Sequence, residues 1–317
     1  MMTTFKIHYK KVVFTLGWIA ATFVLIVHFH IPDLQWLQHN PNTSVNDTID
    51  GAAKKSDLPK DFVLVTAANH NYFPGLKELV GSMHYWEPTI KVAIYDLGLT
   101  KIQLAEIKTW CNVVVHDLPK QMPEHILHQP RKMYAWKPYV VFDSFERYHS
   151  ILFSDAGSNI RGPLSKIKEL LYKDGYFFVQ GQDLDMTEKS HEGMYKYFNE
   201  KKGDFKNKPH FAGGLHGWLR GSDAVQHILY PYVLCAQRQE CFGPPGSSLR
   251  NHRYDQSVLS IIIYTAPMRI VPHTEFLAAS RRQCNSDPFK PSDMLVLTAR
   301  QGTKDYYSKI CNKTSTL

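Results

Sequence analysis

Three short stretches of this 317-residue chain place chemistry-bearing residues where an apolar run begins or ends. In ILFSDAGSNI (151–160) the apolar run stops at Asp155, and Ala156, Gly157 and Ser158 leave open space behind it. A carboxylate at the tip of a buried strand is costly unless it is paired, hydrogen-bonded or bound to a cation. Asp155 could cap the following turn or pair with a nearby Lys or Arg. It could equally hold a divalent cation that bridges a diphosphate. In FAGGLHGWLRGSD (211–223) Gly213 and Gly214 sit between a short apolar entry and a helix-like run, either as a tight turn or where a ligand approaches backbone. In NHRYDQSVLSIIIY (251–264) Asp255 and Gln256 head a strongly apolar helical run, where the carboxylate could be a helix cap or could face a substrate.

Such residues need a scaffold that brings strand ends together. FVLV (62–65), KVAIY (91–95), VVV (113–115) and ILF (151–153) read as buried strands. The segments 75–86, 100–110 and 137–148 between them read as helices. Strand followed by helix at this spacing predicts an α/β fold, a mainly parallel sheet flanked by helices on both faces. Ligands of such sheets bind at the carboxyl ends of the strands, which is where TAAN (66–69), DLG (96–98) and DAGS (155–158) fall. No G-x-G-x-x-G follows the first strand, GPPGSS (243–248) lacks the lysine of a phosphate loop, and HEGMY (191–195) lacks the second histidine of a zinc protease motif. Dehydrogenase, P-loop NTPase and zincin are thereby disfavoured, and no nucleophile with an adjacent base marks a hydrolase.

In chain order these pieces resemble the GT-A glycosyltransferases, with their Rossmann-like nucleotide-diphospho-sugar transferase fold, and especially the glycogenin-like group. In that group a strand ends in Asp-x-Asp, then come an Asn-Ala-Gly segment, an Asp-Gln pair and a late metal-binding histidine. AWKPYVVFDSFERYHSILFSDAGSNI (135–160) matches the helix and strand that carry the first motif, with Asp155 as its first aspartate. FAGG (211–214) resembles the second, Asp255-Gln256 the third, and His273 in IVPHTEF (270–276) the fourth. The chain is also similar to animal and plant relatives whose strand ends in Asp-Ser-Gly and which share a HRYDQS-like segment. The resemblance spans about residues 61–280. Two positions depart from it: Gly157 stands where the second carboxylate belongs, and Ala212 where the asparagine does.

The resemblance implies a nucleotide-sugar donor and a divalent cation, Mn²⁺, held by Asp155 and His273 against the donor's diphosphate. Thr66 and Asn69 would lie near the base and ribose, Gly213 and Gly214 beside the donor, and Lys137 would neutralise the leaving phosphates. Asp255, with Gln256, would stand nearest the sugar. The residues leave open whether Asp255 is a base, giving inversion, or an electrostatic partner, giving retention; the glycogenin-like likeness favours retention. Loss of the second carboxylate keeps a rival reading in view, a catalytically silent glycan-binding or scaffolding protein on the same fold.

Outside this core the chain carries the marks of a secretory membrane protein. Residues 12–31 form a 20-residue run without Asp, Glu, Lys or Arg, long enough for one transmembrane helix. Lys6, Lys10 and Lys11 precede it, which predicts a type II signal-anchor with a cytosolic tail at 1–11. A polar stem at 32–60 and a lumenal domain at 61–317 would follow, in the Golgi or endoplasmic reticulum. Sequons at Asn42, Asn46 and Asn312 fit that address. The five cysteines show no metal-ligand spacing; Cys235 with Cys241 and Cys284 with Cys311 are the expected disulfides, and Cys111 the expected free thiol. A formal charge of +8 suits an anionic partner, but basic and acidic residues intermingle, and only 199–210 is a basic cluster, expected as a solvated loop rather than a nucleic-acid surface. The acceptor would be a hydroxyl of a glycan, glycoprotein or lipid.

Overall fold

The computed structural model describes residues 61–120, 122–124, 126, 133–273, 276–278, 295–298 and 304–313, all within the compact unit Ala53–Leu317. The anchor, the stem and the sequons at Asn42 and Asn46 lie outside the described residues. Among those that are described, no helix is long and apolar enough to cross a membrane.

A six-stranded sheet, ordered β3-β2-β1-β4-β7-β6, forms the centre. Its strands are β1 (Phe62–Ala68), β2 (Lys91–Asp96), β3 (Val113–His116), β4 (Ser150–Ser154), β6 (Tyr176–Gln180) and β7 (Phe211–Leu219). β1 to β4 are mutually parallel, whereas β7 runs antiparallel to both β4 and β6. β6 is therefore parallel to β4, and the carboxyl ends of β4 and β6 flank the start of β7. A small second sheet joins β5 (Asn159–Ile160), β9 (Val296–Leu297) and β8 (Leu277–Ala278) in that order.

The apolar runs become strands because both faces are covered. Every residue of β1 is buried, as expected for a parallel strand between two helical layers. On one face α1 (Phe73–Trp86) and α4 (Ser165–Asp174) deliver Leu76, Leu79, Ile167 and Leu171 onto Leu64, Ile94, Leu152 and Phe177. On the other, α3 (Trp136–Arg147) and α6 (Asp255–Thr265) meet the sheet through ring contacts of Trp136 with Phe153 and of Tyr264 with Phe211. Two further helices, α2 (Lys101–Lys108) and α5 (Tyr230–Ala236), complete the layers, α2 opened by a Thr100/Gln103 capping box.

Two expectations are corrected by these elements. FAGGLHGWL is a strand from its first residue, so Gly213 and Gly214 do not form a turn before a helix. Cys235 pairs with Cys241 as expected, but Cys311 pairs with Cys111 and not with Cys284, and Cys111 is no free thiol. A bridge between Trp110 and Asn312 lays the C-terminal segment beside the end of α2 and brings the Cα atoms of Cys111 and Cys311 to 5.4 Å, within disulfide reach. Cys284 lies outside the described residues.

That segment docks on α1. Glu78 accepts hydrogen bonds from the main-chain N–H groups of Asp305 (3.2 Å) and Tyr306 (3.1 Å). His84 donates through Nε2 to the Cys111 carbonyl (2.8 Å) and accepts at Nδ1 from the N–H of Cys311 (2.9 Å). Gly81 lies so close to the Tyr306 carbonyl that any Cβ there would collide with it.

Candidate active site

Lys137 occupies the first turn of α3. A crossover helix runs antiparallel to the strands it connects, so its start lies over the carboxyl end of β4. The side chain is 3% exposed, and its Nζ lies 2.5 Å from Asp255 Oδ2, 3.1 Å from Asp155 Oδ1 and 2.9 Å from the Gly213 carbonyl oxygen. An ammonium has three protons, and here three acceptors take them. Aromatic rings of Phe153 and Trp136 approach Nζ to 5.4 and 5.8 Å. Asp155 pairs with a lysine, one of the roles open to it in the sequence, and its main chain extends the ladder by donating to Gly214 O at 2.9 Å.

Burial works against the charge on Lys137, but attraction to Asp155 and Asp255 outweighs it and holds the ammonium above its ordinary pKa. Asp255 is pushed above the usual carboxylate range by burial, which the nearby ammonium offsets only in part. Behind the cluster, His216 stacks on Phe153 at 5.0 Å and accepts a 2.8 Å hydrogen bond at Nδ1 from Trp218. Burial, reinforced by the Lys137 charge, pushes its pKa down to about 3, so the ring is neutral.

The adjacent glycines have a different cause from the one expected. A Cβ on Gly213 would stand 2.5 Å from Asp255 Oδ2, and one on Gly214 2.6 Å from Asp155 Oδ2. They make room for the two carboxylates. Ala212, in place of an asparagine, turns into the apolar core.

Asp255 reaches the cluster through a strained turn. The N–H of Gln256 donates to the Arg253 carbonyl at 3.0 Å, and Tyr254 between them has φ 43° and ψ −109°. These angles belong to the first central position of a type II′ turn, a place dominated by glycine. A tyrosine held there stores about 1–3 kcal/mol of backbone strain.

Gln256 Nε2 donates to Asp183 Oδ2 at 3.1 Å. Asp183 also accepts from Arg253 Nε at 2.9 Å and Nη2 at 3.3 Å. Sequence reasoning passed over Asp183; its one signal was an acidic pair in QGQDLD, directly after the strand YFFVQ. Since β6 is parallel to β4, that loop opens on the same edge as Asp155.

The remaining expected site residues lie elsewhere or face inward. β1 continues through Ala68, which leaves Thr66 fully buried within the strand. Asn69 is 2% exposed, and its side chain caps the following turn by accepting from the N–H groups of Asn71 (3.0 Å) and Tyr72 (3.3 Å). His70, Asn71 and Tyr72 after it are exposed, Tyr72 at 44%. His273 pairs its main chain with β6 at Val179, and its ring stacks on Phe177 at 5.3 Å. It thus sits three strand positions from Asp155, about 14 Å at the usual strand spacing. Asn312 is exposed, and its Oδ1 accepts from the Thr109 hydroxyl at 3.0 Å.

The donor set can be tested against the cation implied by the resemblance. Asp155 Oδ1 is held by Lys137, Gly157 offers no carboxylate, and His273 is on another part of the sheet. Among the described residues no group of three or more His, Cys, Asp or Glu is arranged to hold a metal ion. The residues present do not fit a divalent cation held by the protein alone. In this structure the three donors of Lys137 are taken by Asp155, Asp255 and the Gly213 carbonyl.

No model of a known protein family matches the chain, and no curated protein matches it in sequence. Solved structures similar to it include three glycosyltransferases. The apo form of the bifunctional glycosyltransferase WbbM is 14% identical over 84% of this chain, with a TM-score of 0.49; the chain covers 51% of it, about half its length. Mouse xyloside xylosyltransferase 1 in its apo form is 12% identical over 75% of this chain and 97% of its own, with a TM-score of 0.47. Core-mannan synthase A from Aspergillus fumigatus, in an Mn/GDP form, is 10% identical over 68% of this chain and 71% of its own, with a TM-score of 0.42.

Proposed function

We propose that this chain is a GT-A glycosyltransferase that moves a sugar from a nucleotide-sugar to a hydroxyl of a lumenal glycan, glycoprotein or lipid. The observation that carries the reading is the buried Lys137 bridging Asp155 and Asp255 at the carboxyl edge of the sheet. Structural ion pairs are common, but this one brings together the residues that the sequence resemblance singled out. In the reaction the bond from the anomeric carbon to the diphosphate oxygen breaks, a bond to the acceptor oxygen forms, and the hydroxyl proton leaves; the nucleoside diphosphate is the other product. Positive charge develops at the anomeric carbon, and acceptor oxygens fixed beside it lower the barrier. Asp255, with Gln256 next to it, is the group assigned to face that carbon. Asp155, with a third of its side chain exposed, is the member of the cluster that solvent and ligand can reach.

The full-length chain, screened with nucleotide-sugars with and without Mn²⁺, should hydrolyse one of them slowly in the absence of acceptor. Calorimetry should show uridine or guanosine diphosphate binding that Asp155→Ala weakens by at least about tenfold, or about 1.4 kcal/mol. Binding of neither nucleotide sinks the reading and favours the silent scaffold, a rival supported by the fully used donors of Lys137.

The same proposal places the chain in the Golgi or endoplasmic reticulum as a type II protein, supported by the 12–31 run, its preceding lysines and two disulfides, which persist in oxidising compartments. Protease treatment of intact microsomes should spare everything beyond about residue 32, and glycosidase should reduce the mass carried at Asn42, Asn46 or Asn312. A C-terminus digested from the cytosolic side excludes this topology.

A further inference from the structure

Asp183 lies outside the cluster but bonds to a residue beside it. Its side chain is 16% exposed and accepts three hydrogen bonds, two from Arg253 and one from Gln256. Its own carbonyl accepts from the N–H of His210 at 2.9 Å, which pins the loop after β6 to the segment before β7. Gln256 rests over the same strand ends: a Cβ on Gly181 would lie 3.5 Å from its Cδ, and one on Gly213 3.2 Å from its main-chain nitrogen.

A glutamine amide has a donor end and an acceptor end, and rotating it by half a turn exchanges them at almost no steric cost. A carboxylate is acceptor-only, so the atom that meets Asp183 must be the nitrogen, and the oxygen turns away from it. Arg253 holds the carboxylate through two bonds and prevents it from following the amide. We infer that Asp183 is a positioning residue: clamped by Arg253, it fixes Gln256 so that its carbonyl oxygen, and not its NH₂ group, is presented beside Asp255. An electron-deficient anomeric carbon is stabilised by that oxygen and opposed by an NH₂ dipole. The inference rests on the transferase reading above.

The test uses the full-length chain with uridine diphosphate glucose and guanosine diphosphate mannose as probes. Asp183→Asn, which can offer Gln256 a donor, should lower kcat for donor hydrolysis about a hundredfold. The Kd of the bare nucleoside diphosphate should stay within about threefold, since Asp183 does not touch the Lys137 cluster. Gln256→Ala should lose a similar factor, and the double variant no more than either, because both act through one amide. Asp183→Glu, still acceptor-only, should recover part of the rate. Should Asp183→Asn fail to fold, Gln256→Met removes the amide while keeping its volume and carries the same expectation. If the wild type binds the probes without cleaving them, the readout is the affinity that the sugar adds over the bare nucleotide, which Asp183→Asn should abolish. Unchanged kcat in Asp183→Asn, or additive losses in the double variant, overturns the role of Asp183 alone. Failure of the wild type to bind either probe overturns the transferase reading, and this role with it.

Discussion

At the scale of single residues, Lys137 determines how the site can be charged. One ammonium between two carboxylates leaves the cluster with a net single negative charge, and the two aspartates approach each other only because it stands between them. Removing one partner of a buried ion pair strands the other, at a cost of about 3–5 kcal/mol. Lys137→Met should therefore lower stability by about that amount. Asp255→Asn placed in the same chain should return a substantial part, since the more exposed Asp155 is then the only charge left. Denaturant midpoints of the wild type, Lys137→Met and the double variant decide the matter; a double variant less stable than Lys137→Met would mean the pair is not coupled as its geometry indicates. Lys137, Asp155 and Asp255 could each be singled out in the sequence and the structure brings them into contact, but the bonds made by Lys137 were not legible. Nothing in a linear reading says that its three protons are already assigned.

At the scale of elements, legibility followed burial. FVLV, KVAIY, VVV and ILF were readable as strands because parallel strands covered on both faces demand unbroken apolar runs. β7 was not, because FAGGLHGWL contains three glycines and glycine weakens a strand. Each of them answers a demand from another element: Gly213 and Gly214 clear the two carboxylates, and Gly217 passes Phe177 so closely that a Cβ would come within 3.0 Å of the Phe177 Cβ. The head of α6 illustrates the same limit. Asp255 at the start of an apolar run was readable as a helix-end carboxylate, whereas a tyrosine at a type II′ position contradicts local preference and is imposed by packing, with its ring edge-on to His252 at 5.1 Å and its hydroxyl bonded to the Ser247 carbonyl at 3.2 Å. Asp183 had no motif to announce it, since its role exists only once β6 and α6 are side by side. The Cys111–Cys311 bond was likewise invisible, because a separation of 200 positions carries no information about which cysteine ends nearest.

For the whole molecule, buried neutral imidazoles tie stability to acidity. His210 and His252 are pushed down to about 4 and His216 to about 3, in each case first by burial. An unfolded histidine titrates near 6.5, so as pH falls through that value the unfolded chain takes up protons that the folded chain refuses. Stability should be complete above about pH 6.5 and decline below it, by about 2 kcal/mol per histidine at about pH 5. Melting temperatures taken from about pH 7 down to pH 5 should fall accordingly, and a flat profile would show that these rings are not neutral in the folded state. The C-terminal clasp on α1 has a consequence of another kind, in the timing of synthesis. The two ends of the Cys111–Cys311 bond are separated by 200 positions, and at about 5–20 residues per second a ribosome needs about 10–40 s to deliver the second after the first. Throughout that interval Glu78, His84 and the flat surface at Gly81 wait for main-chain groups that have not yet been made. The first strand–helix units emerge early but are closed only once the segment carrying Cys311 has been made.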